Sequence, residues 1–160
     1  MGEHPSVSGA LTVGVISDTH GLLRPQALDA LRGSDLIIHA GDVGDPALLA
    51  PLRAIAPTHV VRGNIDYGDW ADALPMTALV DVGALKFYVL HNIAELDLPT
   101  AGVAAVVYGH SHQPTIETRD GVLYLNPGSA GPRRFSLPVC VARVRIANGA
   151  LAPEIVTLAV

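Results

Sequence analysis

The apolar run LTVGVISD at residues 11–18 decides the fold class of this chain. Apolar residues fill nearly every position, which is typical of a strand that is buried on both faces of a sheet. Two similar runs follow, DLIIHAGD at 35–42 and THVVRGN at 58–64. Helical segments separate the three runs. This alternation predicts βαβ units and a parallel sheet.

The two intervening segments carry helix signals. Residues 24–32 place Pro25 near the start and leucines at helical spacing. The second segment opens with Asp45-Pro46, an N-cap residue followed by proline at the first helical position. Pro51 follows within the same segment, so we expect it to kink or shorten that helix.

The second half of the chain predicts antiparallel strands around tight turns. Residues 77–90 indicate two strands that turn near Gly83, and 104–110 indicate another buried strand. Asp120-Gly121 and Asn148-Gly149 each separate two β-rich runs and are strong hairpin signals. We therefore predict an α/β fold with two mixed sheets packed face to face and helices outside.

Length and composition limit the classes of function. The 160 residues fit a single domain, predicted at 11–160 after a flexible tail at 1–10. The net charge of −5 disfavours general nucleic-acid binding, which needs a basic surface, but is compatible with a phosphate substrate. Cys140 is the one cysteine, so thiolate metal clusters are excluded. We expect a soluble cytoplasmic protein with no membrane partner, since apolar runs are short.

Polar residues gather where the predicted strands end. Ligands in open α/β sheets bind outside the carboxyl ends of the strands. Residues i and i+2 of an extended chain point the same way, so each Asp-x-His or His-x-His pair is expected to face one cavity. Glycines before three of these residues allow close packing. The set is Asp18, His20, Asp42, Asn64, His91, His110 and His112.

Oxygen and imidazole donors without sulfur suit Mn, Fe, Zn, Co or Ni. Seven donors exceed the needs of one tetrahedral zinc ion and fit two metals that share a carboxylate. Each residue alone is equally compatible with a turn or a helix cap, and it is their coincidence at strand ends that favours a metal site. His39 and Asp66 are interpreted as supporting residues that orient ligands.

Five motifs in order carry a resemblance to a known family. They are DTHG at 18–21, GD at 41–42, GNID at 63–66, GHSH at 109–112 and NPGS at 126–129. Over residues 11–146 the chain resembles the calcineurin-like metallophosphoesterase superfamily, and in particular its small single-domain bacterial and archaeal phosphodiesterases. The resemblance implies a four-layer α/β/β/α sandwich and a site with two divalent metal ions, manganese being the first expectation.

The resemblance also implies roles for individual residues. Asp18, His20 and His112 would hold the first metal. Asn64, His91 and His110 would hold the second, and Asp42 would bridge the two. Asp42, Asn64 and His91 are the expected catalytic residues. The NPGS segment would shape a turn beside the site without a ligand role.

Two positions depart from the family pattern. Ile65 stands where protein phosphatases of the superfamily have histidine and the small phosphodiesterases usually have cysteine, so it cannot protonate a leaving group. Asn92 follows His91 where glycine is common. Arg133 and Arg134 follow the NPGS segment; they would either bind a substrate phosphate or form a solvated pair.

The resemblance implies hydrolysis of a small phosphate ester, most simply a phosphodiester, by a hydroxide that bridges the two metals. A phosphomonoesterase of the same fold is one alternative. A non-catalytic metal-binding scaffold, similar to the retromer subunit of this superfamily, is another. A nuclease is disfavoured by the acidic composition, and edge strands leave room for a homo-oligomer.

Overall fold

The computed structural model describes residues 10–97 and 102–160. The predicted tail at 1–10 lies outside the described residues except for Ala10. Within the described residues, the helices are α1 (Pro25–Leu31), α2 (Leu49–Ile55) and α3 (Asp69–Asp72), and 3₁₀ turns cover Pro46–Leu48 and Ile93–Glu95. The strands in chain order are β1 (Leu11–Ile16), β2 (Leu36–His39), β3 (Thr58–Val60), β4 (Thr77–Val82), β5 (Leu85–Leu90), β6 (Ala105–Val107), β7 (Thr115–Arg119), β8 (Val122–Asn126), β9 (Cys140–Ala147) and β10 (Ala150–Thr157).

The strands form two mixed sheets, as predicted. The first has the order β10-β9-β1-β2-β3, in which β1, β2 and β3 are parallel and β9 and β10 form an antiparallel hairpin. The second has the order β4-β5-β6-β8-β7, with β5, β6 and β8 parallel and antiparallel strands at both edges. Both predicted hairpins are confirmed: the four turn residues at 120–121 and 148–149 all have positive φ.

Alternating side chains build the core between the sheets. Val13 and Val15 of β1 and Phe87 and Val89 of β5 point into one apolar cluster between the two sheets. Ile16, the residue after Val15, faces the helices instead. This alternation follows from the two-residue period of a strand. The parallel strands are therefore apolar on both faces, which explains their nearly continuous hydrophobic sequence.

The helices cover the outer face of the first sheet. Leu31 of α1 and Leu52 of α2 are fully buried against it. The Asp45 side chain accepts a hydrogen bond from the Ala47 N–H, which confirms the predicted N-cap. Pro51 falls in the first turn of α2, after the 3₁₀ turn, where its missing N–H removes no helical hydrogen bond.

The outer face of the second sheet carries an aromatic cluster and a short cover in the described residues. Tyr88, Tyr108 and Tyr124 form an aromatic cluster there, with Ile93 and Leu96 packed against it. Over residues 10–97 and 102–160, the cover is the 3₁₀ turn at Ile93–Glu95 and no α-helix. The α/β class with two mixed sheets is confirmed, and the α-helices lie on one side. None of the described helices is long and apolar enough to cross a membrane.

Candidate metal centre

The predicted site residues meet at one edge of the sandwich, in loops beyond the strand ends. The strands stop earlier than their apolar runs suggest, since β1 ends at Ile16 and β2 at His39. Five of the seven predicted ligands have left-handed φ values between 47° and 75°: Asp18, His20, Asp42, His110 and His112. The expectation of extended i and i+2 pairs is therefore wrong. Non-glycine residues in this region are uncommon and concentrate at functional sites.

One group of side chains surrounds Asp18. Its Oδ1 atom lies 3.8 Å from His20 Nε2 and 3.5 Å from His112 Nε2. The two imidazole nitrogens are 3.3 Å apart. Donor atoms of these three residues all lie within 4.8 Å of one another, close enough to share one ion.

A second group surrounds Asp42. Its Oδ2 atom lies 3.2 Å from His91 Nε2 and 3.5 Å from His20 Nε2, so this carboxylate sits between the two groups. Asp18 also belongs to this second group, together with Asp42 and His91. The other oxygen of Asp42 accepts a hydrogen bond from the Ile65 N–H at 3.1 Å. The bridging role of Asp42 stays a prediction that this position allows.

Asn64 and His110 lie at the exposed side of the centre. Asn64 Oδ1 and His110 Nδ1 are 3.1 Å apart, so these two side chains contact each other. The His110 ring packs edge-on against that of His91, with centroids 5.2 Å apart. The predicted second ligand set is thus adjacent in space, and its two exposed members are turned toward one another.

The donors at the buried end fit a bound cation. Among the described residues, three buried side-chain atoms lack a hydrogen-bond partner: Asp18 Oδ1, His91 Nε2 and His112 Nδ1. Asp18 Oδ1 and His91 Nε2 lie 3.8 Å apart, whereas His112 approaches Asp18 with its other ring nitrogen, Nε2. His91 Nδ1 lies 2.8 Å from the Ala40 carbonyl and must donate to it, which turns Nε2 toward the carboxylates. A neutral imidazole lone pair facing two carboxylates is stabilised by a proton or a metal ion.

The pKa values of His91 and Asp42 are shifted because the two side chains lie close together. Burial lowers the pKa of His91, but the Asp42 carboxylate 3.2 Å from its Nε2 and the charge of Asp18 outweigh burial and raise it. Burial raises the pKa of Asp42, but His91 and the Ile65 N–H reverse this and leave it lowered. Burial lowers the pKa of His112, and the charges of Arg134 and His20 add to the effect.

Glycines before the ligands are required for close packing. A Cβ on Gly63 would overlap the backbone nitrogen and Oδ1 of Asp42. A Cβ on Gly109 would overlap Ser17 Oγ and lie 2.7 Å from Asp18 Oδ2. The prediction that these glycines allow close approach agrees with this geometry, and any side chain would force the ligand loops apart.

Asp66 ties two ligand loops together. Its buried carboxylate accepts hydrogen bonds from the N–H groups of Val43 at 3.2 Å, Gly44 at 2.9 Å and Gly63 at 2.9 Å. These donors flank Asp42 and Asn64, so Asp66 fixes the separation of their loops. In the sequence, the GNID spacing is the only sign that Asp66 has this role.

His39 supports the site through the backbone. Its Nδ1 accepts a hydrogen bond from the Gly41 N–H at 3.1 Å, so its Nε2 carries the proton and donates to Thr19 Oγ1 at 3.0 Å. Thr19 in turn donates to the Val43 carbonyl at 2.8 Å. The predicted supporting residue therefore contacts loop backbone and a threonine, and not a ligand side chain. Complete burial lowers its pKa to about 4.

We expect His39 to make stability depend on pH. Its folded pKa of about 4 lies below the ordinary histidine value of 6.5, so the stability that its neutral form provides is complete above pH 6.5 and is lost as pH falls toward 4. The loss should reach roughly 3 kcal/mol. Urea unfolding of metal-free protein at stepped pH should give a flatter profile for His39→Gln. His59→Gln, which changes an exposed strand histidine, should keep the wild-type slope; parallel profiles for all three proteins would contradict the assignment.

The NPGS segment joins the loops that carry Asp18 and His110. The Asn126 amide donates to the Gly109 carbonyl and to Ser111 Oγ, both at 3.1 Å. Ser129 Oγ donates to the Asp18 carbonyl at 3.0 Å. The segment has no ligand atom among the candidate metal groups found in the described residues. Sequence reasoning missed Ser17, whose hydroxyl donates to Asp18 Oδ2 at 2.9 Å. No motif in the sequence marks this serine as a supporting residue.

The structure also describes Asn92 and the arginine pair at 133–134. Asn92 has extended backbone that needs no glycine, and its side chain caps the 3₁₀ turn by accepting from the Ala94 N–H. Arg133 and Arg134 are exposed and line a cavity beside His20 and His112. The structure therefore brings Arg133 to the site, at its outer wall.

Comparisons with known proteins agree with this geometry. The family model described as the calcineurin-like phosphoesterase superfamily domain matches residues 11–149. A protein of Methanocaldococcus jannaschii named as a probable metallophosphoesterase is 34% identical over 140 residues, covering 77% of this chain and 70% of the relative. A second protein of that organism, named as a phosphodiesterase, is 24% identical over 139 residues, covering 74% and 83%.

Solved structures share the fold at lower identity. One described as a novel archaeal phosphodiesterase has a TM-score of 0.76 at 21% identity, covering 92% of this chain and all of its own. Vacuolar Protein Sorting 29 of Cryptosporidium parvum has a TM-score of 0.74 at 17% identity, covering 92% and 97%. With the family match over nearly the whole chain, these findings show that the protein belongs to the calcineurin-like phosphoesterase superfamily and is a hydrolase of phosphoester bonds.

Proposed function

We propose that the protein is a metal-dependent phosphodiesterase that acts on small phosphate esters at the edge described above. The observation that carries this proposal is a pair of buried atoms without hydrogen-bond partners, Asp18 Oδ1 and His91 Nε2, which lie 3.8 Å apart beside the Asp42 carboxylate. Leaving such atoms unsatisfied is costly, so their retention is best explained by a bound cation.

The donor set indicates which residues would hold metal. Asp18, His20 and His112 would hold one divalent ion, and Asn64, His91 and His110 a second, with Asp42 between them. Manganese is our first expectation, and Fe, Zn, Ni and Co suit the same oxygen and nitrogen donors. When bound, two such ions supply Lewis acidity, which activates water near neutral pH and neutralises phosphoryl charge.

The chain itself contributes orientation. The Ala40 carbonyl fixes the tautomer of His91, and the Ile65 N–H holds one oxygen of Asp42, which leaves the other free to face the site. Asn64 and His110 stand at the exposed side, where a substrate would enter. The Ile65 side chain carries no proton for a leaving group, so protonation would come from water. We therefore expect esters with good leaving groups to react fastest.

The preference for diesters is supported by the names of two similar proteins, the phosphodiesterase of M. jannaschii and the archaeal phosphodiesterase structure. The likeness to Vacuolar Protein Sorting 29 reflects the fold alone at 17% identity. Filled ligand positions favour an enzyme over a non-catalytic scaffold.

The test compares hydrolysis of bis-p-nitrophenyl phosphate and p-nitrophenyl phosphate by metal-stripped protein, with and without added Mn²⁺. We expect metal to raise diester cleavage by at least about 10²-fold and diester cleavage to exceed monoester cleavage. Faster monoester cleavage would replace this proposal with a phosphomonoesterase. Tight metal binding without hydrolysis of either ester would favour the scaffold.

A further inference from the structure

A cavity of about 150 Å³ opens beside one half of the metal centre. Its walls are His20, His112, Pro132, Arg133 and Arg134. The two histidines are predicted ligands, and the remaining three residues belong to the loop that follows the NPGS segment. A group bound at the centre would therefore have both guanidinium groups as neighbours on this side.

The two arginines are free of internal partners in the described parts of the chain. Across residues 10–97 and 102–160, neither guanidinium forms an ion pair or a hydrogen bond, although 15 acidic residues are present in the sequence. Some other arginines are engaged: Arg62 pairs with Asp72, and Arg143 donates to the carbonyls of Ala30 and Arg32. The exposed Arg53 and Arg145 also have no partner among the described residues, so the position of Arg133 and Arg134 at the cavity distinguishes them. Two adjacent free guanidiniums at a cavity wall form a site suited to phosphate, which arginine binds in a bidentate manner.

The cavity on the opposite side of the centre has a different charge. Its volume is about 80 Å³, and its walls include Asn64, His91, Glu95, His110 and Arg62. Glu95 adds a negative charge there, while Arg62 is already held by Asp72 at 2.9 Å and by the Asp66 carbonyl at 3.0 Å. Of these two cavities, only the one lined by Arg133 and Arg134 therefore has positive charge that is free to bind a ligand.

The loop also holds a phenylalanine in an unusual conformation. Phe135 is 89% exposed and has a φ of +54°, although bulky residues rarely adopt left-handed backbone. Such strained residues concentrate at ligand-binding segments. An exposed ring next to two guanidiniums offers a face on which a base can stack.

We propose that the cavity lined by Arg133 and Arg134 binds a second phosphate of the substrate, separate from the phosphate that is hydrolysed. The substrate class is then a phosphodiester that carries an additional phosphate group, with a phosphorylated nucleotide ester as its simplest form. This inference rests on the proposed function of the metal centre. It adds the identity of the group beyond the scissile bond and the direction in which that group points.

The test uses two substrates that differ in one phosphate. They are the p-nitrophenyl ester of thymidine 5′-phosphate and the same ester with a 3′-phosphate. We expect the manganese-loaded protein to have a higher kcat/KM for the 3′-phosphorylated ester, by roughly 10–100-fold. The double variant Arg133→Ala/Arg134→Ala should abolish this preference, so that the two esters have equal kcat/KM values.

The control variant Arg53→Ala/Arg145→Ala removes the same charge from exposed positions on α2 and β9 and should keep the preference. An equal fall for both esters in Arg133→Ala/Arg134→Ala would mean that the arginines contact the scissile phosphate. That result, or the absence of a preference in wild type, would overturn the second-phosphate site while leaving the phosphodiesterase intact.

Binding gives the same comparison without turnover. Calorimetry should show tighter binding of thymidine 3′,5′-bisphosphate than of thymidine 5′-monophosphate to wild type, and equal binding to Arg133→Ala/Arg134→Ala. Equal binding to wild type would overturn the inference even if both esters were cleaved. Preferential binding without cleavage of bis-p-nitrophenyl phosphate would support the anion site and reject the proposed hydrolysis.

Discussion

Replacing Asp42 with asparagine should lower metal-dependent hydrolysis of bis-p-nitrophenyl phosphate by roughly 10³-fold or more, about 4 kcal/mol in the barrier. The Oδ2 atom of Asp42 lies 3.2 Å from His91 Nε2 and 3.5 Å from His20 Nε2, between the two candidate groups. Asparagine keeps the shape of the side chain, and its oxygen can still accept from the Ile65 N–H. The variant removes the negative charge and places an NH₂ group, which cannot bind a cation, where Oδ2 faces the site.

A matched control lies three residues further along. Asp45→Asn removes the same charge from an exposed helix cap, and asparagine caps equally well, so activity and stability should match wild type. Calorimetric titration with Mn²⁺ should show weaker binding for Asp42→Asn alone. Unchanged turnover and Mn²⁺ affinity in Asp42→Asn would rule out a central role for this carboxylate.

Adding one methyl group at residue 63 should disrupt the site as strongly. A Cβ on Gly63 would overlap the backbone nitrogen and Oδ1 of Asp42, and backbone atoms cannot rotate away as a flexible side chain can. The loop of Asn64 would have to move from that of Asp42 and strain the Asp66 hydrogen bonds that join them. We expect Gly63→Ala to lose at least about 10²-fold in kcat/KM and about 3 kcal/mol in the free energy of unfolding.

The comparison for this variant is Gly121→Ala in the β7–β8 turn. No atom lies within 4 Å of a Cβ there, so only the positive φ of 79° is unfavourable for alanine. That strain should cost about 1–2 kcal/mol in stability and leave activity unchanged. If Gly63→Ala kept the activity and the urea midpoint of wild type, the loops of Asp42 and Asn64 would be less tightly packed than the structure shows.

Most of the fold could be predicted from local patterns. Apolar runs predicted the strands, because parallel strands are buried on both faces, and Asp-Gly and Asn-Gly pairs predicted the hairpins, because those residues tolerate positive φ. Among the described residues, the outer cover of the second sheet is the 3₁₀ turn at Ile93–Glu95, a segment too short for helical periodicity to be visible in the sequence.

The candidate site could be predicted in its membership but not in its geometry. Asp18 and Asp42 follow the parallel strands β1 and β2, so βαβ topology brings them to one edge. His91 follows β5 of the second sheet and reaches that edge through the packing of the two sheets. The left-handed backbone of Asp18 and His112 depends on contacts from distant loops, such as the Ser129 hydroxyl on the Asp18 carbonyl. An aspartate such as Asp66 looks the same in the sequence whether its carboxylate caps a turn or joins two loops.

Anomalous diffraction from crystals grown with Mn²⁺ tests the central claim most directly. We expect two peaks at the edge where β1, β2 and β3 end, both within about 2.0–2.4 Å of the Asp42 carboxylate. One should contact Asp18, His20 and His112, and the other Asn64, His91 and His110. Crystals with no peak at this edge, or with one peak that Asp42 does not contact, would contradict the two-metal centre.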